Sequence, residues 1–352
     1  MDLDDYKSFG KLDPQNMLGE IDNLPRQLQS AWDFGQQQPL PDAKGLTHII
    51  ISGMGGSAIG ADLLAAYIAP VCKLPVIVHR DYSLPAWAHS PHTLVIASSH
   101  SGCTEETLDA FDVAVKAGCR LLAVCTGGEL EQRANAHNIP VWKFAHTGQP
   151  RAAVGFSFGL LLAAFTRLGL VPDPESELLD ALAGMRSQQE TLRANVPVAQ
   201  NPAKRMAGQL VGRWVNVYGS GKLVPVARRW KTQMNEIAKA GAGFEALPEA
   251  DHNALAGLVN PPVLMQTMTL FLRSPSDHPR NHLRLELTRH GFMVEGMNTD
   301  VYAANGESPL AHVWTALHFG DYLAYYLAMA YEVDPTPVDA MQNLKATLKA
   351  ST

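Results

Sequence analysis

The chain has 352 residues, of which 46% are hydrophobic and 18% are charged, and its formal net charge at pH 7 is −6. This length accommodates two hydrophobic cores of ordinary domain size, and the negative net charge argues against nucleic acid as a partner. A membrane-spanning helix needs about 18 consecutive apolar residues, and no apolar stretch of the sequence is that long. The start of the chain is polar and does not have the pattern of a signal peptide. We therefore expect a cytoplasmic protein with no membrane partner.

The first half of the chain alternates apolar strands with helical segments. A helical N-terminal segment over residues 1–44 precedes a first domain that we assign to residues 45–170. Strands are predicted at 47–52, 74–79, 93–98, 120–126 and 140–144, and helices at 58–68, 105–117, 129–137 and 155–169. Near-continuous apolar strands that alternate with helices are typical of a parallel sheet covered by helices on both faces.

The second half repeats this pattern more weakly. A charged helical connection over residues 171–205 leads into a second domain over residues 206–352. Its strands are predicted at 213–217, 267–273 and 284–287, its helices at 224–240 and 313–331, and its tail is predicted to be helical from residue 337. The sequence therefore predicts an α/β protein with two αβα domains, each a mainly parallel sheet flanked by helices.

Two loops rich in glycine, serine and threonine follow the first and third predicted strands. The first loop reads GMGGS at residues 53–57, and the second reads SSHSGCT at residues 98–104. Glycine lets a backbone approach a ligand closely, and hydroxyls and free N–H groups at a helix start bind phosphate. Because neighbouring parallel strands end at the same edge of a sheet, the loops predict one anion cradle. Their spacing differs from that of a nucleotide P-loop, so we expect a phosphate on a small molecule such as a sugar.

Five motifs, in this order, resemble those of proteins with the sugar isomerase (SIS) fold, and more narrowly those of the bifunctional phosphoglucose/phosphomannose isomerases. They are GMGGSAIGAD at 53–62, SSHSGCTEET at 98–107, QPRAA at 149–153, MNEIAKAGAGFEALPEADHNAL at 234–255 and GDYLAYYLAMAYEVDPTPVDAMQNLKATL at 320–348. The resemblance implies an aldose–ketose isomerase. Such an enzyme interconverts glucose 6-phosphate, mannose 6-phosphate or both with fructose 6-phosphate through a cis-enediol, and it needs no cofactor and no metal.

The resemblance also implies roles for individual residues. Those at the phosphate would be Gly55, Gly56, Ser57, Ser99, Ser101 and Thr104. Those at the reacting sugar would be Arg151 beside the reacting carbons, Glu236 as the base, His252 as the ring-opening group and Lys345 as a further contact. Two positions depart from the family pattern, because many relatives have Asn where this chain has Cys103 and Tyr where it has His100.

The residue types suit the implied reaction. One carboxylate can carry the proton between C1 and C2, since the two carbons are adjacent. The planar, permanently charged fork of an arginine suits the two oxygens of a developing enediolate. A histidine can donate to the ring oxygen and accept the C1 hydroxyl proton. Thr336 is a candidate for the wall near C2, where glucose and mannose differ.

The composition and the resemblance also predict how the chain assembles. The charged fraction of 18% is below the average of about 25%, and this suggests a buried interface between subunits. The resemblance implies a homodimer in which His252 completes the active site of the partner subunit.

Three other readings remain open at this point. The segment at 53–58 approximates the dinucleotide fingerprint of an NAD(P)-dependent oxidoreductase, with Asp81 placed to bind a ribose, but this leaves the second loop without a role. A non-catalytic sugar-phosphate-binding SIS regulator usually carries a DNA-binding module, and the first 44 residues contain no basic helix-turn-helix pattern. Another SIS enzyme, such as an amidotransferase synthase half or an epimerase, would lack the set of Glu236, His252 and Lys345.

Overall fold

The structure is a computed structural model that describes residues 2–351, and it contains two parallel β-sheets packed between helices. The strands are β1 (His48–Ser52), β2 (Val76–His79), β3 (Thr93–Ser99), β4 (Arg120–Cys125), β5 (Val141–Lys143), β6 (Trp214–Ser220), β7 (Ala242–Leu247), β8 (Thr267–Arg273) and β9 (Asn298–Ala303). The helices are α1 (Met17–Asp22), α2 (Leu24–Gly35), α3 (Gly55–Ile68), α4 (Glu105–Lys116), α5 (Gly128–Ala136), α6 (Val154–Arg167), α7 (Glu175–Leu192), α8 (Pro202–Leu210), α9 (Val224–Glu236), α10 (Pro279–Val294), α11 (Pro309–Ala330) and α12 (Asp339–Ala350). The predicted fold class is confirmed.

The first sheet has the strand order β2-β1-β3-β4-β5, and all its strands are parallel. Successive side chains of a strand point to opposite faces. Accordingly, Ile49 and Ile51 of β1 join the core formed with α2, α3 and α6, whereas Ile50 joins a second core formed with α4 and α5. Because helices cover both faces, β3 is buried at every position, which explains the apolar run at 94–97 in its middle.

The second sheet has the order β7-β6-β8-β9 and is also parallel. Two of its strands, β7 and β9, were not predicted, because both are edge strands that are only partly buried and carry polar residues. The strand predicted at 284–287 is wrong, since these residues lie within α10. The alternation of leucine with charged residues there imitates a strand, but Leu285 and Phe292 are buried while Leu283 and Leu287 face solvent, as on a helix.

A long helix, α11, runs through the centre of the molecule. Every residue from Leu310 to Met329 is buried, because α1, α7, α8 and α9 pack around it. A helix enclosed on all sides is apolar all round, so its few polar residues, among them Asp321, need partners inside the protein. None of the helices in residues 2–351 combines the length and hydropathy that a membrane crossing requires.

Candidate active site

The two loops rich in glycine and hydroxyl groups lie side by side at the carboxyl ends of β1 and β3, which are neighbours in the sheet. The backbone N–H of His100 in the second loop donates to Oγ of Ser57 in the first loop, at 3.2 Å. Helix α3 starts within the first loop, at Gly55, and its N-cap residue, Met54, provides no side-chain acceptor for the first N–H groups of the helix. Those N–H groups and the positive end of the helix dipole therefore favour an anion.

The hydroxyl groups of the second loop are organised around Ser99. Its Oγ is 2.8 Å from Oγ1 of Thr104 and accepts the N–H of Gly102 at 3.1 Å. Ser101 is exposed, and its Oγ accepts the N–H of Cys103 at 3.2 Å. The structure thus brings together the predicted hydroxyls of both loops, with Ser57 and Ser99 buried and Ser101 facing outwards.

Gly56 joins this cradle to the next predicted residue, Arg151. A Cβ at position 56 would lie 2.4 Å from the carbonyl oxygen of Pro150, and only glycine permits so close an approach. Gly55 has a φ of +52°, and the space where a Cβ would lie is open. The turn at Pro150–Ala152 therefore packs directly against the first loop, and the cradle and Arg151 form one site.

The buried side chain of Arg151 reaches two distant parts of the chain. Its Nη1 lies 3.7 Å from Oε2 of Glu236, and its Nη2 donates to the backbone carbonyls of Pro335, at 2.9 Å, and Thr336. Burial lowers the pKa of Arg151, and the carboxylate of Glu236 opposes that shift. Within residues 2–351, Nε of Arg151 and the buried Oγ1 of Thr336 have no hydrogen-bond partner. Buried polar groups without a partner are uncommon in folded proteins, and these two lie on neighbouring residues of the same site.

Sequence reasoning missed the residues that hold Arg151 and Glu236 in place. Arg229, Gln233 and Glu236 share one face of α9, at the helical spacing of four and three residues. Arg229 donates to the carbonyl of Arg151 at 2.7 Å and forms a bidentate pair with Asp321, at 3.1 and 2.9 Å, to which Gln233 also donates at 2.9 Å. The lone carboxylate in the apolar sequence of α11 was the signal that could have found this network.

The N-terminal helices hold the same turn from the other side. Gln27 of α2 donates to the carbonyl of Ala152 at 2.9 Å and accepts the N–H of Gly155 at 2.8 Å. It is buried and lies more than a hundred residues from its partners in the sequence. Nothing in its sequence neighbourhood indicated this role.

A histidine pair extends from the second loop. Nε2 of His100 is 2.9 Å from Nδ1 of His146, whose Nε2 is 3.3 Å from Oε2 of Glu20. Burial, with a smaller contribution from His146, lowers the pKa of His100 to about 4. His100 is therefore neutral near pH 7 and adds no positive charge to the cradle.

His252 and Lys345 are not brought to Arg151 and Glu236 within one chain. His252 is exposed at the end of a short 3-10 helix, and Lys345 is exposed on α12. The preceding residue, Asp251, accepts hydrogen bonds from Arg284 and Thr288 of α10, at 2.9 and 2.6 Å. The turn is thus held in a conformation that leaves His252 on the surface.

Among residues 2–351, no group of three or more histidine, cysteine, aspartate or glutamate side chains is arranged so that it could hold a metal ion. The carboxylate of Glu236 instead faces a guanidinium group.

Comparisons with known proteins agree with the resemblance of the motifs. Residues 199–348 match the family described as bacterial phospho-glucose isomerase C-terminal SIS domain. A bifunctional phosphoglucose/phosphomannose isomerase of Caldicellulosiruptor bescii is 38% identical over 337 residues, which cover 94% of this chain and 98% of that protein. One from Aquifex aeolicus is 32% identical over 311 residues, or 87% of this chain and 93% of that protein. The solved structure of a hypothetical protein from Thermus thermophilus has a TM-score of 0.76 at 18% identity, covering 98% of this chain and 93% of that one, and bears on the fold alone.

Proposed function

Because the chain belongs to the family of bifunctional phosphoglucose/phosphomannose isomerases, we propose that it interconverts glucose 6-phosphate and mannose 6-phosphate with fructose 6-phosphate. The observation that carries this proposal is the carboxylate of Glu236, 3.7 Å from the buried guanidinium of Arg151 and on the same site as the hydroxyl cradle. That arrangement offers a base, a fixed positive charge and a phosphate site, which are the three parts that the reaction needs. A non-catalytic regulator has no need of such a base, and a dinucleotide site of an NAD(P)-dependent oxidoreductase would leave the second hydroxyl loop without a role.

The phosphate binds where the two loops meet. Its oxygens accept hydrogen bonds from the first N–H groups of α3 and from the hydroxyls of Ser57, Ser99, Ser101 and Thr104. Because His100 is neutral and does not attract the phosphate by charge, the positive end of α3 provides the electrostatic attraction. Since the phosphate remains bound throughout the reaction, these contacts stabilise substrate and transition state about equally.

Glu236 is the base that removes the proton from C2 of the aldose and returns it to C1. The carboxylate is partly shielded from solvent, with 24% of its side chain exposed. The electrons of the broken C–H bond form the enediolate, and Arg151 stabilises its negative charge through the donors that face the site. Both aldoses lead to the same enediol, so the room around C2, bounded by Thr336, decides which of them is used.

The remaining contacts to the sugar depend on the assembly of two subunits. We propose a cytoplasmic homodimer in which the exposed His252 enters the partner's site and opens the sugar ring, while Lys345 contributes a further contact. The domain ranges 45–170 and 206–352, with the helical segments 1–44 and 171–205, are part of the same proposal. A C₂ dimer then contains two equivalent composite sites.

A coupled assay of fructose 6-phosphate formation tests the activity. Glucose 6-phosphate and mannose 6-phosphate are supplied separately, with EDTA present and no nicotinamide cofactor in the isomerase step. We expect turnover of both sugars, and we expect Glu236→Gln, which keeps the shape but removes the basicity, to lower kcat by about 10²–10⁴-fold while fructose 6-phosphate still binds. If neither sugar is turned over, the proposed function is ruled out. Near-normal turnover by Glu236→Gln would rule out Glu236 as the base.

A further inference from the structure

Lys239 lies directly beyond the end of α9 in an unusual conformation. Its φ is +55°, in the left-handed region that a residue with a Cβ rarely adopts. Although the residue as a whole is exposed, its Nζ turns inwards and donates to the backbone carbonyl of Glu236 at 2.6 Å and, more weakly, to that of Ile237 at 3.5 Å. A further bond, of 3.3 Å, reaches the carbonyl of Pro335.

The carbonyl of Pro335 connects Lys239 to Arg151. It accepts from Nη2 of Arg151 at 2.9 Å as well as from Nζ of Lys239. The contacts close a ring, in which the carboxylate of Glu236 faces Arg151, Arg151 and Lys239 share the Pro335 carbonyl, and Lys239 holds the main chain of Glu236. Each bond in the ring restrains the distance between the base and the guanidinium.

We propose that Lys239 is a positioning residue for the isomerisation proposed above, on which this inference rests: it ties the end of α9 to the Pro335 segment and so holds the carboxylate of Glu236 against Arg151. The lysine acts through these two residues and is not itself in contact with the reacting carbons. A displacement of about 1 Å at such a site can lower a rate by about 100-fold.

The charged groups around Lys239 predict when it can act. Arg151 faces it from the turn after β5, Glu236 from α9, Asp334 from the segment after α11, and Asp339 from α12. Burial, and then repulsion by Arg151, lower the pKa of Lys239 to about 8, and the three carboxylates only partly oppose this. Lys239 therefore carries its charge at pH 7 and loses it as the pH rises through about 8.

A purely structural role predicts something different. A lysine near the end of a helix also stabilises the last carbonyls as a cap. Removal of a cap lowers stability, but it changes neither kcat nor the pH dependence of the rate. The two roles are therefore distinguished by kinetics and not by folding.

Three substitutions and one control make the test. Lys239→Met removes the charge, Lys239→Arg keeps it, and Lys239→Gly removes the side chain while accommodating the left-handed backbone. The control is Lys116→Met, because Lys116 is also an exposed lysine and lies in the last turn of α4, at the end remote from the phosphate loops. For each protein, kcat and KM are measured between pH 6 and pH 10 together with the urea unfolding midpoint.

We expect Lys239→Met and Lys239→Gly to lower kcat by about 10- to 100-fold with KM nearly unchanged, and Lys116→Met to behave as the wild type. In the wild type, kcat/KM falls above about pH 8; in Lys239→Arg this limb moves to higher pH, since arginine keeps its proton. If Lys239→Met unfolds, the profiles of Lys239→Gly and Lys239→Arg decide.

The inference is overturned if the wild type is active and the Lys239 variants have the same kcat and the same fall in rate at alkaline pH as the wild type. This holds even if their unfolding midpoints are lower. That result leaves the proposed function standing. An inactive wild type, in contrast, removes the proposed function and this inference together.

Discussion

The buried pair of Arg229 and Asp321 provides a prediction that separates stability from activity. Only 1% of the Arg229 side chain and 4% of the Asp321 side chain are exposed, so neither charge has water to stabilise it. Removal of one partner, by Asp321→Leu or Arg229→Met, leaves a single buried charge. We expect each variant to lose about 3–5 kcal/mol of unfolding free energy.

The double variant is expected to be different. Apolar residues of similar volume in place of a buried ion pair are often neutral or stabilising by about 1–4 kcal/mol. This gain is opposed because the carbonyl of Arg151 and the amide of Gln233 lose their hydrogen-bond partners. Each loss lowers the unfolding free energy by about 1–3 kcal/mol. The double variant should therefore be no less stable than either single variant, which corresponds to a coupling energy of at least about 3 kcal/mol.

Activity should not recover with stability. The Arg151 carbonyl has lost its Arg229 donor in the double variant as well, so the guanidinium is held less firmly against Glu236. We expect kcat to remain about 10- to 100-fold below the wild type in a protein that is folded at the assay temperature.

The assays are urea unfolding followed by tryptophan fluorescence, and steady-state kinetics on the same four proteins. The matched control uses the same substitutions at an exposed pair, Arg273→Met and Glu286→Leu, whose partners lie 3.2 Å apart with nearly half of each side chain exposed; there the coupling should stay within about 1 kcal/mol. Additive losses at the buried pair would refute the energetic reasoning. A double variant with wild-type kcat would refute the positioning of Arg151 by Arg229.

Two further predictions concern the phosphate and the assembly. Replacement of Ser101 and Thr104 by Ala should mainly raise KM for all substrates with little change in kcat, because phosphate contacts are kept throughout the reaction; a crystal soaked in phosphate should show the ion between the two loops, and an ion bound only elsewhere contradicts the cradle. Mixing inactive Glu236→Gln with inactive His252→Ala subunits should restore about a quarter of wild-type activity, since half of randomly formed C₂ dimers are mixed and each of those has one intact site. If subunits demonstrably exchange and no activity returns, both residues serve the same chain's site.

Much of the first sheet could be predicted because its strands are apolar on both faces. The runs at 47–52 and 93–98 leave no polar face for solvent, so a parallel sheet between two helical layers is the arrangement that buries them. The meeting of the two loops rich in glycine and hydroxyl groups was equally predictable, since parallel strands place their carboxyl ends at one edge. The edge strands β7 and β9 were missed for the opposite reason: their partial burial leaves a weak pattern.

The arrangement of Arg151, Glu236 and the groups around them depended on tertiary structure. Local sequence indicates which residue types are present, and the family motifs indicate candidate roles, but neither specifies that Arg229 donates to the carbonyl of a residue 78 positions away. The network around Asp321 forms because a helix enclosed on every side cannot leave a carboxylate unpaired, and the partners that Asp321 finds come from a distant helix. Local periodicity determined which segments form helices and strands. Which polar side chains of those segments pair with one another was decided by their burial, and that burial exists only once the chain has folded.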